Sequence, residues 1–133
     1  MNITLLQPDG LVTSPAFSHV AIVPAGARTI YVGGQNGIDS DGTVVSGDVA
    51  EQAARAVDNV CTALAAVDVE LADVIQWTVL IDAEADVNAA YQAIAPRLAR
   101  TGAPPLVVAA RVAGLAVPVV LIEVSAIAAT MAD

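Results

Sequence analysis

Glu123 is the residue whose type and surroundings point most directly to chemistry. It stands between Ile122 and Val124, in a run from Val119 to Ile127 that is otherwise almost wholly apolar. Burying an unpaired carboxylate there is costly, so it needs a partner or a task. One reading is an edge position whose carboxylate reaches solvent or a salt bridge. The other is a partly buried acid that acts as general acid/base or holds a water. Arg111 is the one basic residue in this region. If 105–112 and 119–127 form a hairpin turning near Ala116, Arg111 and Glu123 lie roughly opposite each other as an ion pair. A one-residue slip puts them on opposite faces.

The remaining candidates are weaker. His19 is the sole histidine, no cysteine pair exists, and no acids cluster at ligand spacing, so no metal site is expected. Cys61 falls on the apolar side of a helical pattern and reads as core. Gly33-Gly34-Gln35 ends a strand pattern and lacks the helix that a phosphate-binding loop requires. A glycine pair there can still bring backbone amides close to a ligand.

Composition narrows the function classes. The 133 residues suit one domain, 1–133, and the net charge of −9 disfavours nucleic acid. The five basic residues are all arginines, which excludes a lysine Schiff base. The lone cysteine suits a reducing cytoplasm. No leader is evident at the start, and the apolar stretch 112–122 is too short to span a bilayer. A chain 56% hydrophobic but 3% aromatic builds its core from aliphatic residues and is expected to bury apolar surface against other copies.

These candidates need a scaffold. Ile3–Leu6, Val20–Val23 and Thr29–Val32 read as strands, with Pro24-Ala25-Gly26 suggesting a hairpin between the last two. Residues 48–67 carry apolar positions at helical spacing, with Asp48 as N-cap and Glu51 as capping-box partner. Val74–Ile81 returns to strand, and 84–100 reads as a second helix in which Pro96 predicts a kink or break. Strands 105–112 and 119–127 close the chain. The order β-β-β-α-β-α-β-β predicts an α+β fold, one sheet with two helices on one face. The other face would be covered by neighbouring subunits.

The chain resembles the Rid family of reactive-intermediate deaminases. The matching pieces run in order: Phe17-Ser18-His19, Ile30-Tyr31-Val32-Gly33-Gly34-Gln35, Glu51-Gln52, Asn88 with Tyr91, Pro105, Ile122-Glu123-Val124 and Ala126-Ile127-Ala128. The resemblance implies a chorismate-mutase-like (YjgF-type) fold, a barrel-like homotrimer and small-molecule sites in clefts between subunits. It also implies hydrolysis of imines or enamines, such as 2-aminoacrylate, to a carbonyl compound and ammonia without cofactor.

Carried over residue by residue, Glu123 takes the role of the water-positioning glutamate and is the expected catalytic residue. Phe17 stands where a tyrosine is usual, Gly34 lines the pocket, and Asn88 is a pocket contact. The family's substrate-carboxylate arginine falls on Val107, and Ala109 and Arg111 follow on the same strand. The expectation is therefore a divergent member binding a less anionic molecule, weak on 2-aminoacrylate-type substrates. Two alternatives stay open: a non-catalytic ligand-binding or regulatory trimer, and a structural trimer with Glu123 paired to Arg111.

Overall fold

A computed structural model describes residues 2–131. The first helix of the sequence pattern, α1, spans Val49–Ala65. Asp48 caps it, accepting the Glu51 amide at 3.0 Å. The capping box does not close, because the Asp48 amide donates instead to Ser46 Oγ at 3.1 Å. Ala53, Ala56, Val57, Val60 and Leu64 form its fully buried stripe. The alanines let the helix axis lie close to the sheet while Leu64 fills the far end.

Helix α2 spans Val87–Leu98, three residues shorter at its start than the sequence pattern suggested. Asp82 explains the delay: its carboxylate accepts the Glu84 amide at 2.9 Å and its carbonyl accepts the Ala85 amide at 3.0 Å. That turn holds the chain until Asp86, which caps α2 through the Ala89 amide at 3.1 Å. The helix passes through Pro96 and ends two residues later.

The strands appear in the expected order: β1 (Thr4–Leu6), β2 (Val20–Ile22), β3 (Ala27–Asn36), β4 (Val74–Asp82), β5 (Leu106–Val112) and β6 (Ile122–Met131). Their pairing corrects two sequence-based expectations. β2 pairs with β1, not with β3, so Pro24–Gly26 is a turn between two sheets. β5 and β6 are not a hairpin either. The main sheet runs β3-β6-β4-β5, with β6 inserted antiparallel between β3 and β4, and β5 parallel to β4 at the edge. A parallel β4–β5 pair requires a crossover, and α2 supplies it.

Alternation gives the sheet two faces. Trp77 and Ile81 of β4 and Ile122, Val124, Ala126 and Ala128 of β6 are buried under α1 and α2. Tyr31, Thr78, Leu80, Val108, Glu123 and Ser125 alternate with this face and belong to the other, which neither helix covers. On that side Tyr31 is 75% exposed and Val108 51%.

The entry into β6 is set by a fully buried side chain, Gln52 of α1. Its Nε2 donates to Ser46 O at 2.7 Å and Val119 O at 3.0 Å, and its Oε1 accepts the Leu121 amide at 2.8 Å. Val119 has φ +62°, a left-handed conformation unfavourable for a β-branched residue. That turn explains why β6 begins at Ile122 rather than at 119. Gln52 thereby fixes the register of the strand that carries Glu123.

Candidate functional site

Glu123 is half-buried, paired in register with Leu80 on one side and Asn36 on the other. Beside it, the register of β3 shifts between Val32 and Gln35, so Gly33 and Gly34 form a bulge. The absence of a side chain at Gly34 is what seats the carboxylate. A Cβ built there would lie 2.6 Å from both Cδ and Oε2 of Glu123. Those atoms end a flexible side chain, so Gly34→Ala should displace the carboxylate at little cost to the fold. The expected result is a melting temperature within a few degrees of wild type, with loss of whatever function Glu123 serves. Thermal melts alongside ligand or turnover assays measure both.

Arg111 does not pair with Glu123. It lies on β5 opposite Ile81, separated from β6 by the whole of β4. Its Nη1 donates to Ala83 O at 3.1 Å. The physical reason is topology: the crossover through α2 places β5 at the sheet edge. Among the described residues, the ion pair present is Arg97–Asp58, between α2 and α1.

Phe17, Val107 and Ala109 do come together. They line a groove of about 480 Å³ between α2 and the β4–β5 edge, with Trp77, Tyr91 and Arg100 among the other lining residues. Val107, opposite Trp77, is 42% exposed, and Tyr91 is 59% exposed at the rim. Phe17 is held by its neighbours in the chain. His19 meets its ring edge-on with centroids 5.4 Å apart, and the imidazole Nε2 lies 2.7 Å from Val12 O. The Ser18 amide donates to Pro105 O at 3.0 Å, tying this segment to the entry of β5. Asn88 is exposed on the first turn of α2, whereas its neighbours Val87 and Tyr91 line the groove.

The groove contains one guanidinium among the described residues, Arg100, just beyond the end of α2. Its Nη1 donates to Ala72 O at 2.9 Å and Val74 O at 2.7 Å, while Nε and Nη2 donate to Ala103 O at 3.3 and 3.2 Å. Burial pushes its pKa below the usual arginine value, and Asp73 partly counters that. Its donors are committed to the carbonyls that join the end of α2 to the start of β4, leaving little for a ligand carboxylate. No sequence signal separates such an arginine from a ligand-binding one, because its partners are all backbone atoms.

Glu123 and this groove are on opposite faces of one sheet. Val107 shares the Trp77 face under α2, while Glu123 shares the Leu80 face. Within one chain they do not form a common pocket.

Comparison with known proteins agrees with this architecture. A family model described as endoribonuclease L-PSP matches residues 10–130. A human 2-iminobutanoate/2-iminopropanoate deaminase is 45% identical over 62 residues, 46% of this chain and 43% of that protein. A rat protein of the same name is 42% identical over 74 residues, 55% of this chain and 50% of that protein. The matched segments thus span about half the length of these relatives. Among solved structures, the Rid-family protein YyfB from Yersinia pestis, described as of unknown function, superposes with TM-score 0.81 at 25% identity, covering 98% of this chain and 100% of that one. RidA from an Antarctic Psychrobacter shares the fold, with TM-score 0.67 at 22% identity over 91% of this chain and 98% of its own. The continuous match from residue 10 to residue 130, on a sheet of this strand order, places the chain in the endoribonuclease L-PSP family, to which the Rid proteins belong.

Proposed function

We propose that the protein is a cofactor-independent imine or enamine hydrolase working as a homotrimer in a reducing cytoplasm. Its site lies in a cleft between copies: one copy gives Glu123 and Gly34, the next gives the groove of Phe17, Val107 and Ala109. The observation carrying this reading is that the carboxylate and the groove open on opposite faces of a single sheet. Packing one copy's uncovered face against its neighbour's groove is the arrangement that lets them meet, and it covers Tyr31 and Val108 as well. The names of the human and rat relatives support the reaction class.

In this reading the Glu123 carboxylate accepts a hydrogen bond from a water and takes its proton as the oxygen attacks the C=N carbon. The proton then passes to the amine nitrogen of the carbinolamine. Collapse of that adduct moves the hydroxyl proton through Glu123 to the departing nitrogen as the C=O bond forms and the C–N bond breaks, releasing the carbonyl compound and ammonia. The Val107 groove favours an uncharged substrate. Without a guanidinium fork, a substrate carboxylate forfeits a contact of about 1.5–3 kcal/mol, on the order of tenfold to a hundredfold in affinity.

A panel of imines made in situ tests this. An amino-acid oxidase supplies carboxylate-bearing imines and an amine oxidase supplies neutral ones, with ammonia release as the readout. Neutral imines should be hydrolysed at least about tenfold faster in kcat/KM, and Val107→Arg should raise turnover of the carboxylate-bearing set. Equal rates on both sets would overturn the substrate preference, and no acceleration of either would overturn the enzymatic reading.

A further inference from the structure

A second cavity, of about 640 Å³, is lined by Gly34 and the end of β3, the following loop and α1. It is more polar than the groove, and charges of both signs line it, Arg55 from α1 and Asp39 from the loop, together with Asn59. Arg55 is half-buried, yet its guanidinium makes one contact, Nε to Ile38 O at 3.5 Å. Its two Nη atoms have no protein partner among the described residues and reach solvent, which leaves them open to a ligand. Arg100 and Arg97, by contrast, are each bonded to several acceptors.

Asp39 is held by its own turn. Its amide donates to Thr43 O at 3.0 Å, and its Oδ1 accepts the Thr43 amide at 3.1 Å and the Asp41 amide at 3.3 Å. That leaves Oδ2 without a backbone donor. Asp41 on the same turn ionises below the usual carboxylate range, first through its side-chain contact with Asp39 and then through Thr43. Of these two acids, Asp39 is the one that lines the cavity. Asn59 braces the loop, its Nδ2 donating to Asn36 O at 3.1 Å and Ile38 O at 2.8 Å. Arg55 and Asp39 face the same space without forming an ion pair.

An arginine fork and a carboxylate on separate elements, lining one cavity without pairing to each other, complement a ligand carrying both opposite charges. We propose that this cavity is a second site, distinct from the groove, for a small zwitterionic α-amino acid. The ligand carboxylate lies on the Nη atoms of Arg55 and its ammonium group faces Asp39. Neither charge alone matches the lining: a simple carboxylate meets Asp39, and a simple amine meets Arg55.

Titration of the full chain with L-alanine, propionate and ethylamine, followed by amide chemical shifts, tests the proposal. L-alanine should saturate below roughly 20 mM and bind at least about tenfold more tightly than either single-charge analogue. The shifted amides should include Gly34, Asp39, Ser40 and Thr62. Arg55→Gln and Asp39→Asn should each weaken L-alanine about tenfold or more while leaving imine turnover unchanged. Propionate binding as tightly as L-alanine, no saturation, or shifts confined to the Val107 groove would each overturn the proposal. The wild-type shift map decides the matter even if a variant fails to fold.

Discussion

Glu123→Gln should lower imine turnover by about 10²–10⁴-fold, the range expected when a general base is removed, while the protein stays folded. Glutamine keeps the length and planarity of the side chain, so it still fits the space left by Gly34, where the carboxylate group packs within 2.6 Å of the missing Cβ. What it loses is the ability to take a proton from water. The topology makes the outcome informative, because among the described residues no arginine pairs with Glu123 and its replacement strands no buried cation. Loss of the fold in Glu123→Gln would mean the carboxylate is a structural anchor. Unchanged turnover would mean the water is activated by another group. A changed ligand affinity without any turnover in the wild type would identify a binding protein. Gly34→Ala serves as the independent control, since it moves the same carboxylate without altering its chemistry.

The element order, both helices and the apolar faces were legible because they rest on local periodicity. Asp48 as a cap, and the spacing of Val49, Ala53, Val57, Val60 and Leu64, are properties of contiguous residues, whereas the cap at Asp86 was missed because the Asp82 turn that delays α2 was not anticipated. Strand partnership is not local. Nothing in 105–112 and 119–127 says that β4 will lie between them, and the short connection favoured the hairpin that the structure replaces. The cost of that error was the Arg111–Glu123 pair. Of the residues assigned to the pocket, Phe17, Val107 and Ala109 line one cavity, while Gly34, Asn88 and Arg111 lie outside it. The separation of that cavity from Glu123 was not legible, because which face a residue occupies depends on the register of the neighbouring strand. Arg55 and Asp39 escaped notice for a similar reason: sixteen positions apart, on a helix and a loop, they share a cavity only once Gly37 has brought the loop against α1.

That approach yields the largest expected effect on stability. A Cβ on Gly37 would lie 2.5 Å from Gln52 Cα and 2.7 Å from its Cβ, both parts of a buried helix rather than the end of a mobile side chain. Gly37→Ala must therefore push α1 away from β3, at about 1–3 kcal/mol for overpacking and more if Gln52 is displaced. Gln52→Ala attacks the same joint from the other side. It removes hydrogen bonds to Ser46 O, Val119 O and the Leu121 amide, and it leaves a cavity under a turn already strained at Val119. At about 1 kcal/mol for each lost bond, plus the cavity, the expected loss is roughly 3–5 kcal/mol. For a chain of this size that lowers the melting temperature by roughly 10–20 °C. Gln52→Leu separates the two contributions: it restores most of the volume but leaves the same three backbone groups unpartnered. A melting temperature close to that of Gln52→Ala would assign the stability to the hydrogen bonds. Recovery to near wild type would assign it to packing and remove Gln52 as the residue that sets the position of Glu123.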